Sequence, residues 1–232
     1  MILHIANGSI LKSYLETKGI SGQKIIAFNE SMITGKCAET IFSEEFFQLR
    51  AETLQVDYER YNELTVTELE ALLSHSYSEI ILWFDADMFC QMNILTLCAY
   101  LDASNYQGEV HLHIIRHDFW QYDSLQDIIL ISYQINPAGY YEIYREVLLQ
   151  RWPAREKYPV FAELNAGINL YTNYISANSD IRLAITKMVK ENKDKPFVIK
   201  EINEKYPHYG IGDYNIQLIY RDIVDTIQLN MD

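Results

Sequence analysis

Two aspartates stand one residue apart, Asp85-Ala86-Asp87, directly behind the apolar run Ile80-Ile81-Leu82-Trp83-Phe84. Acids at i and i+2 behind a strand can hold a divalent cation and the diphosphate it bridges, the chemistry of metal-dependent nucleotide-sugar glycosyltransferases. They can also serve the helix that follows. An acid at a helix start is stabilised by the unpaired amides and the macrodipole with no ligand present. Gln91 lies four residues beyond Asp87, one turn along the same face, where it can orient Asp87 or read a polar ligand. Asn7-Gly8-Ser9 is a second candidate: Gly8 lets backbone approach a ligand closely, and Ser9 either offers helix amides to an anion or simply caps the helix. One glycine and no lysine make neither a phosphate-binding P-loop nor a dinucleotide fingerprint. Glu30, in Asn29-Glu30-Ser31, is a weaker candidate, because an acid in a loop is most often solvated.

His111 and His113 alternate along one strand face at a spacing that suits a metal, although strand histidines are more often hydrogen-bonded structural residues. His117 and Asp118 follow at that strand's end and can join the same rim. Nothing resembles an activated serine or cysteine nucleophile. Cys37, Cys90 and Cys98 are odd in number and widely spaced, which reads as buried free thiols rather than as a disulfide framework or a zinc site. No cofactor is indicated.

The elements that must position these residues can be traced by periodicity. Residues 3–6 form a short apolar run ending in Asn7-Gly8-Ser9, after which Ile10, Leu11, Tyr14 and Leu15 recur at helical spacing. Ser21-Gly22 turns the chain into a second strand around Ile25-Ile26-Ala27-Phe28, so the opening is a βαβ unit with a parallel pair. Helical patterns fill 43–74, with Thr65 or Thr67 as a candidate cap, and a third strand spans 79–84. A helix over 88–101 and a fourth strand over 110–115 follow. Residues 128–133 read as either strand or helix, and 140–151 as helix. Trp152-Pro153 and Tyr158-Pro159 break the chain, and four short helical patterns complete it: 164–174, 180–191, 197–205 and 213–227.

The expected fold is therefore α/β, an N-terminal Rossmann-like three-layer domain (1–155) with a mostly parallel sheet, followed by a small, mainly helical domain (156–232). In such sheets ligands sit outside the carboxyl ends of the strands, so Asn7, Gly8, Ser9, Glu30, Asp87 and Gln91 form the expected ligand-binding rim. Asp85 with Asp87 is the weaker metal alternative.

The net charge is −13, and the first 160 residues hold 11 basic and 22 acidic side chains against 8 and 10 in the rest. That balance disfavours nucleic acid and anionic membranes as partners of the first domain and leaves nucleic acid open for the helical tail, where a helix-turn-helix around Gly210-Ile211-Gly212 can be drawn. The tail's six lysines between 187 and 205 alternate with acids, which reads as a solvated mixed-charge face. The start of the chain lacks a charged secretory leader and no apolar run reaches a membrane span, so a cytoplasmic location is expected.

Leu3-His4-Ile5-Ala6-Asn7-Gly8-Ser9 and Leu82-Trp83-Phe84-Asp85-Ala86-Asp87-Met88-Phe89-Cys90-Gln91-Met92 together resemble the bacterial family known as domain of unknown function number eighteen thirty-five. That family's later motif runs Trp-Phe-Glu-His-Asp-Leu-Phe-Asp-Gln-Leu, so Trp83, Phe84, Asp87, Phe89 and Gln91 match it residue for residue. The resemblance covers about residues 1–117, and Gly210-Ile211-Gly212 with the helix after it is similar to the family's usual C-terminal companion. Ser9, Asp85-Ala86 and Cys90 depart from the pattern, replacing a histidine and acids. The resemblance implies no particular activity. It weights Asp87 over Asp85 and leaves three readings: a binder of a small polar or anionic ligand, a metal-dependent glycosyltransferase, or a regulatory protein acting through its helical tail.

Overall fold

A computed structural model describes residues 1–20, 23–74, 76–153 and 155–229. The expected turn at Ser21-Gly22 lies outside the described residues. The elements run β1 (Ile2–Ala6), α1 (Ser9–Thr17), β2 (Lys24–Ala27), α2 (Glu44–Leu54), α3 (Tyr58–Tyr61), α4 (Thr67–Leu73), β3 (Glu79–Asp85), α5 (Met88–Ala103), β4 (Glu109–Ile115), α6 (Leu125–Ile128), β5 (Ile129–Ile135), α7 (Tyr140–Tyr144), α8 (Ala162–Tyr174), α9 (Asp180–Lys190), α10 (Lys195–Lys205) and α11 (Asp213–Leu229). The fold is α/β, a five-stranded, mostly parallel sheet with helices and a helical C-terminal region.

Strand order is β2-β1-β3-β4-β5. The first four are parallel and in register, Ala6 facing both Ala27 and Trp83, and Asp85 facing Ile115. β5 runs antiparallel to β4, which settles the ambiguous stretch 128–133: a single helical turn capped by Ser124 leads into a strand. Two other local expectations change. The helix placed around Thr65 and Thr67 starts earlier, where Asp57 accepts hydrogen bonds from the Glu59 and Arg60 amides, and it continues through a π-helical turn over Asn62–Val66 into α4. Ser9 is not a cap: Gly8, at φ +86°, is the N-cap and Ser9 the first helical residue.

α5 explains the layering. Met88 and every residue from Cys90 to Leu101 are buried, so the helix is shielded all round rather than along one stripe. The sheet lies on one side of it and α7 and α8 on the other. Buried side chains form one continuous cluster from Leu3 in β1 through α5 to Ile223 in α11. α1 covers the opposite sheet face with a smaller cluster, Leu11, Tyr14 and Leu15 on Ala6, Ile25 and Trp83. No described helix is long and apolar enough to cross a membrane.

Candidate functional site

The chain passes from β1 to β2 on one side of the sheet and returns to β3 on the other, so β1 and β3 diverge at a topological switch point. Loops leaving two such strands move apart and open a crevice at their carboxyl ends. A cavity of about 140 Å³ occupies that place, lined by Asn7 after β1, by Asp85, Asp87 and Cys90 after β3, and by Arg116, His117 and Phe119 after β4.

Each lining group has a local cause for its position. Asp85 ends β3 and accepts the Ala86 amide at 2.5 Å. Asp87 is the N-cap of α5, its carboxylate accepting the Cys90 amide at 2.7 Å. The Asn7 side chain donates to Cys90 Sγ at 3.0 Å, and its Oδ1 accepts from Asn93 at 3.4 Å, so a buried polar strip runs from α5 to the β1 loop. Arg116 donates through Nε to the Asp127 carbonyl and lies 5.2 Å from the Tyr122 ring centre.

The electrostatics are unequal across the cavity. Burial raises Asp87 from its ordinary 3.8 to about 6, repulsion from Asp85 adds to this, and the Cys90 amide and His117 oppose it. Asp85 is also raised, mainly by burial. Burial and the two nearby carboxylates push the Cys90 thiol well up, which makes it a poor nucleophile. Two carboxyls held above their ordinary range therefore line the cavity together with an arginine and an exposed histidine.

The C-terminal helices close over the start of α5. Gly210, in the turn between α10 and α11 at φ +63°, sits so near Asp87 that a Cβ there would lie 2.3 to 2.5 Å from the carboxylate. Gly167 in α8 packs equally tightly on Gln91, a Cβ there falling 2.4 Å from the glutamine Cβ.

Of the residues expected at the rim, Asn7 and Asp87 line the cavity together with the alternative Asp85. Gly8 shapes the β1 turn, and Ser9 bonds to Asn29 at 3.1 Å beside the cavity rather than in it. Gln91 is fully buried; its Nε2 holds the Asp85 carbonyl at 2.9 Å, while its Oε1 has no hydrogen-bond partner among the described residues. Glu30 corrects the expectation of a solvated loop acid. It is 3% exposed, with Arg50 Nη2 at 3.0 Å on one oxygen and the Tyr61 hydroxyl at 2.6 Å on the other. Arg50 also ties down the carbonyls of Ser31, Thr34 and Lys36, so this pair anchors the long connection from β2 to α2.

His111 contacts Glu79 and Glu109, and His113 contacts Ser132, as structural histidines do. No three His, Cys, Asp or Glu side chains form a metal-binding group among the described residues. A larger groove of about 620 Å³ runs between α9 and α10, lined by Leu183, Met188, Phe197 and Tyr206 with lysines and glutamates at its margins, and lies away from the strand ends.

The chain matches no protein-family model, and no curated protein aligns with it.

Sequence reasoning missed Arg116, Cys90 as part of the lining, and Gly210 as the cover of Asp87. The available signal was Gln91 and Asn93, two amides in the first half of a mainly apolar helix, which mark where α5 faces polar partners.

Proposed function

We propose that this protein binds a small polar ligand in the cavity at the β1/β3 switch point. The observation that supports the reading most directly is the coincidence of that cavity with the strand ends where α/β sheets collect their ligands, together with convergent charged groups on its wall. Its volume corresponds to roughly five water molecules at about 30 Å³ each, enough for a small molecule or for one end of a larger one. Hydrogen-bond donors of the ligand face Asp85 and Asp87, and an anionic or acceptor group faces Arg116 and His117. Asp87 is both a wall of the cavity and the cap of α5, while Gln91 and Glu30 act as scaffold. On this reading the chain belongs with the uncharacterised family that residues 1–117 resemble.

The test is a thermal-shift screen with nucleotides, sugar phosphates, small amino acids and divalent metals, followed by calorimetry of the hits. Arg116→Ala and His117→Ala alter partly exposed side chains, so melting should stay within a degree or two while binding weakens at least tenfold. Hits that bind both variants as tightly as the unaltered chain would refute the assignment. Heat from manganese with a nucleotide-sugar, lost in Asp85→Ala, would favour the glycosyltransferase reading instead.

A further inference from the structure

The switch-point cavity carries opposite charges that do not pair with one another. On its β3 side Asp85 and Asp87 are held by backbone amides, and among the described residues neither forms an ion pair. On its β4 side Arg116 is fixed by the Nε bond to the Asp127 carbonyl and by the Tyr122 ring, and its Nη groups have no hydrogen-bond partner among the described residues. His117 is exposed beside it. β3 and β4 are neighbours, Asp85 pairing with Ile115, so the two sets of charge leave the sheet about 5 Å apart. Next to these charges the border is apolar. Phe119 lines the cavity, and Trp120, whose ring centre lies 5.3 Å from that of Phe119, is 61% exposed. Ile10, adjacent to the lining residue Leu11, is 76% exposed.

We propose that the ligand of this cavity is a free α-amino acid with a bulky apolar side chain, its ammonium on Asp85 and Asp87, its carboxylate on Arg116 and His117, and its side chain on Phe119 and Trp120. The inference rests on the binding reading given above and adds the ligand's class. Charge balance selects that class. A phosphate meets two carboxylates, a bare amine meets a guanidinium, and a neutral polyol leaves both sets of charge uncompensated once it displaces their water. A molecule with both charges on one carbon satisfies the two sides across the narrow gap between adjacent strands. The Arg116 fork, oriented from behind and open at its Nη groups, matches a carboxylate bidentately. Volume then decides where the side chain goes. A cavity of about 140 Å³ takes the charged head group, so a large side chain lies outside it, against the exposed indole of Trp120.

The experiment is calorimetry of the full chain at neutral pH with L-phenylalanine and three molecules that each lack one of its groups: phenethylamine without the carboxylate, phenylpropionate without the ammonium, and L-alanine without the ring. L-Phenylalanine should bind, and each analogue should bind more weakly by about tenfold or more. Arg116→Gln should weaken L-phenylalanine about tenfold and leave phenethylamine unchanged. Trp120→Ala should weaken L-phenylalanine to a similar degree, about tenfold, and leave L-alanine unchanged. Melting curves verify that both variants fold, and the analogue series on the unaltered chain stands without them. No heat from L-phenylalanine at millimolar concentration overturns the proposal, and so does an analogue that binds as tightly. In either case a different hit that Arg116→Ala weakens keeps the cavity as a binding site while the amino-acid assignment falls. L-Phenylalanine bound equally well by both variants overturns the cavity reading together with this one, since the amino acid then sits elsewhere.

Discussion

Asp87→Asn separates the carboxyl's charge from its capping role. Asparagine caps a helix about as well as aspartate, so the bond to the Cys90 amide survives while ionisation does not. In the folded chain Asp87 titrates at about 6 rather than 3.8, chiefly because burial disfavours the charged form. At 1.36 kcal/mol per pH unit, keeping this group ionised above pH 6 costs the folded state up to about 3 kcal/mol. The sign follows from proton binding. Between pH 4 and 6 the folded chain holds a proton that the unfolded chain has released, so this residue's contribution is most favourable at low pH and declines as pH rises to 6. Asparagine removes the decline. Urea unfolding of both proteins at pH 4, 5, 6 and 7 should give equal stabilities at pH 4 and a variant more stable by up to about 3 kcal/mol at pH 7, on the order of 5–10 °C in Tm. A variant less stable at pH 7, or a difference that does not change with pH, would refute the reasoning. A side chain that weakens the fold at neutral pH also fits a group kept for a ligand.

Gly210→Ala combines a left-handed φ of +63° with a Cβ inside 2.5 Å of the Asp87 carboxylate, and should cost about 1–3 kcal/mol in chemical denaturation. Arg50→Met leaves Glu30 buried and without its cation, and a loss of about 3–5 kcal/mol is expected; an unchanged urea midpoint would contradict the anchoring role. At Glu68 burial opposes ionisation, but Lys12 and the Ala27 amide outweigh it and hold the carboxyl below its usual range. The stabilisation this supplies is present above that usual range and fades as pH falls through the lowered value. Glu68→Gln should therefore be less stable than the unaltered chain at pH 7 by about 1 kcal/mol, with the gap closing in acid titrations of the melting temperature.

The alternation of apolar runs with 3.6-residue patterns places four strands, most helices and the polar ends of β1 and β3 in the sequence alone, because periodicity is a local property of the chain. The segment 128–133 escapes it, since a short apolar run is compatible with helix or strand until β4 supplies a pairing partner. Asp87 at a helix start is legible for the same local reason, and so is its distance of one turn from Gln91. Burial of Glu30 is not: nothing in Asn29-Glu30-Ser31 announces that Arg50, hidden among Phe46 and Phe47, will reach back to it. Nor is strand order, which decides that the loops after β1, β3 and β4 meet around one cavity while Ser9 turns aside. Gly210 reaches Asp87 across more than a hundred residues, and only the packing of α8, α10 and α11 on α5 brings them together. Residue types and local spacing determined which elements this chain can form. The tertiary structure decided which of their ends converge, because sheet order and helix packing depend on the whole set of buried surfaces at once.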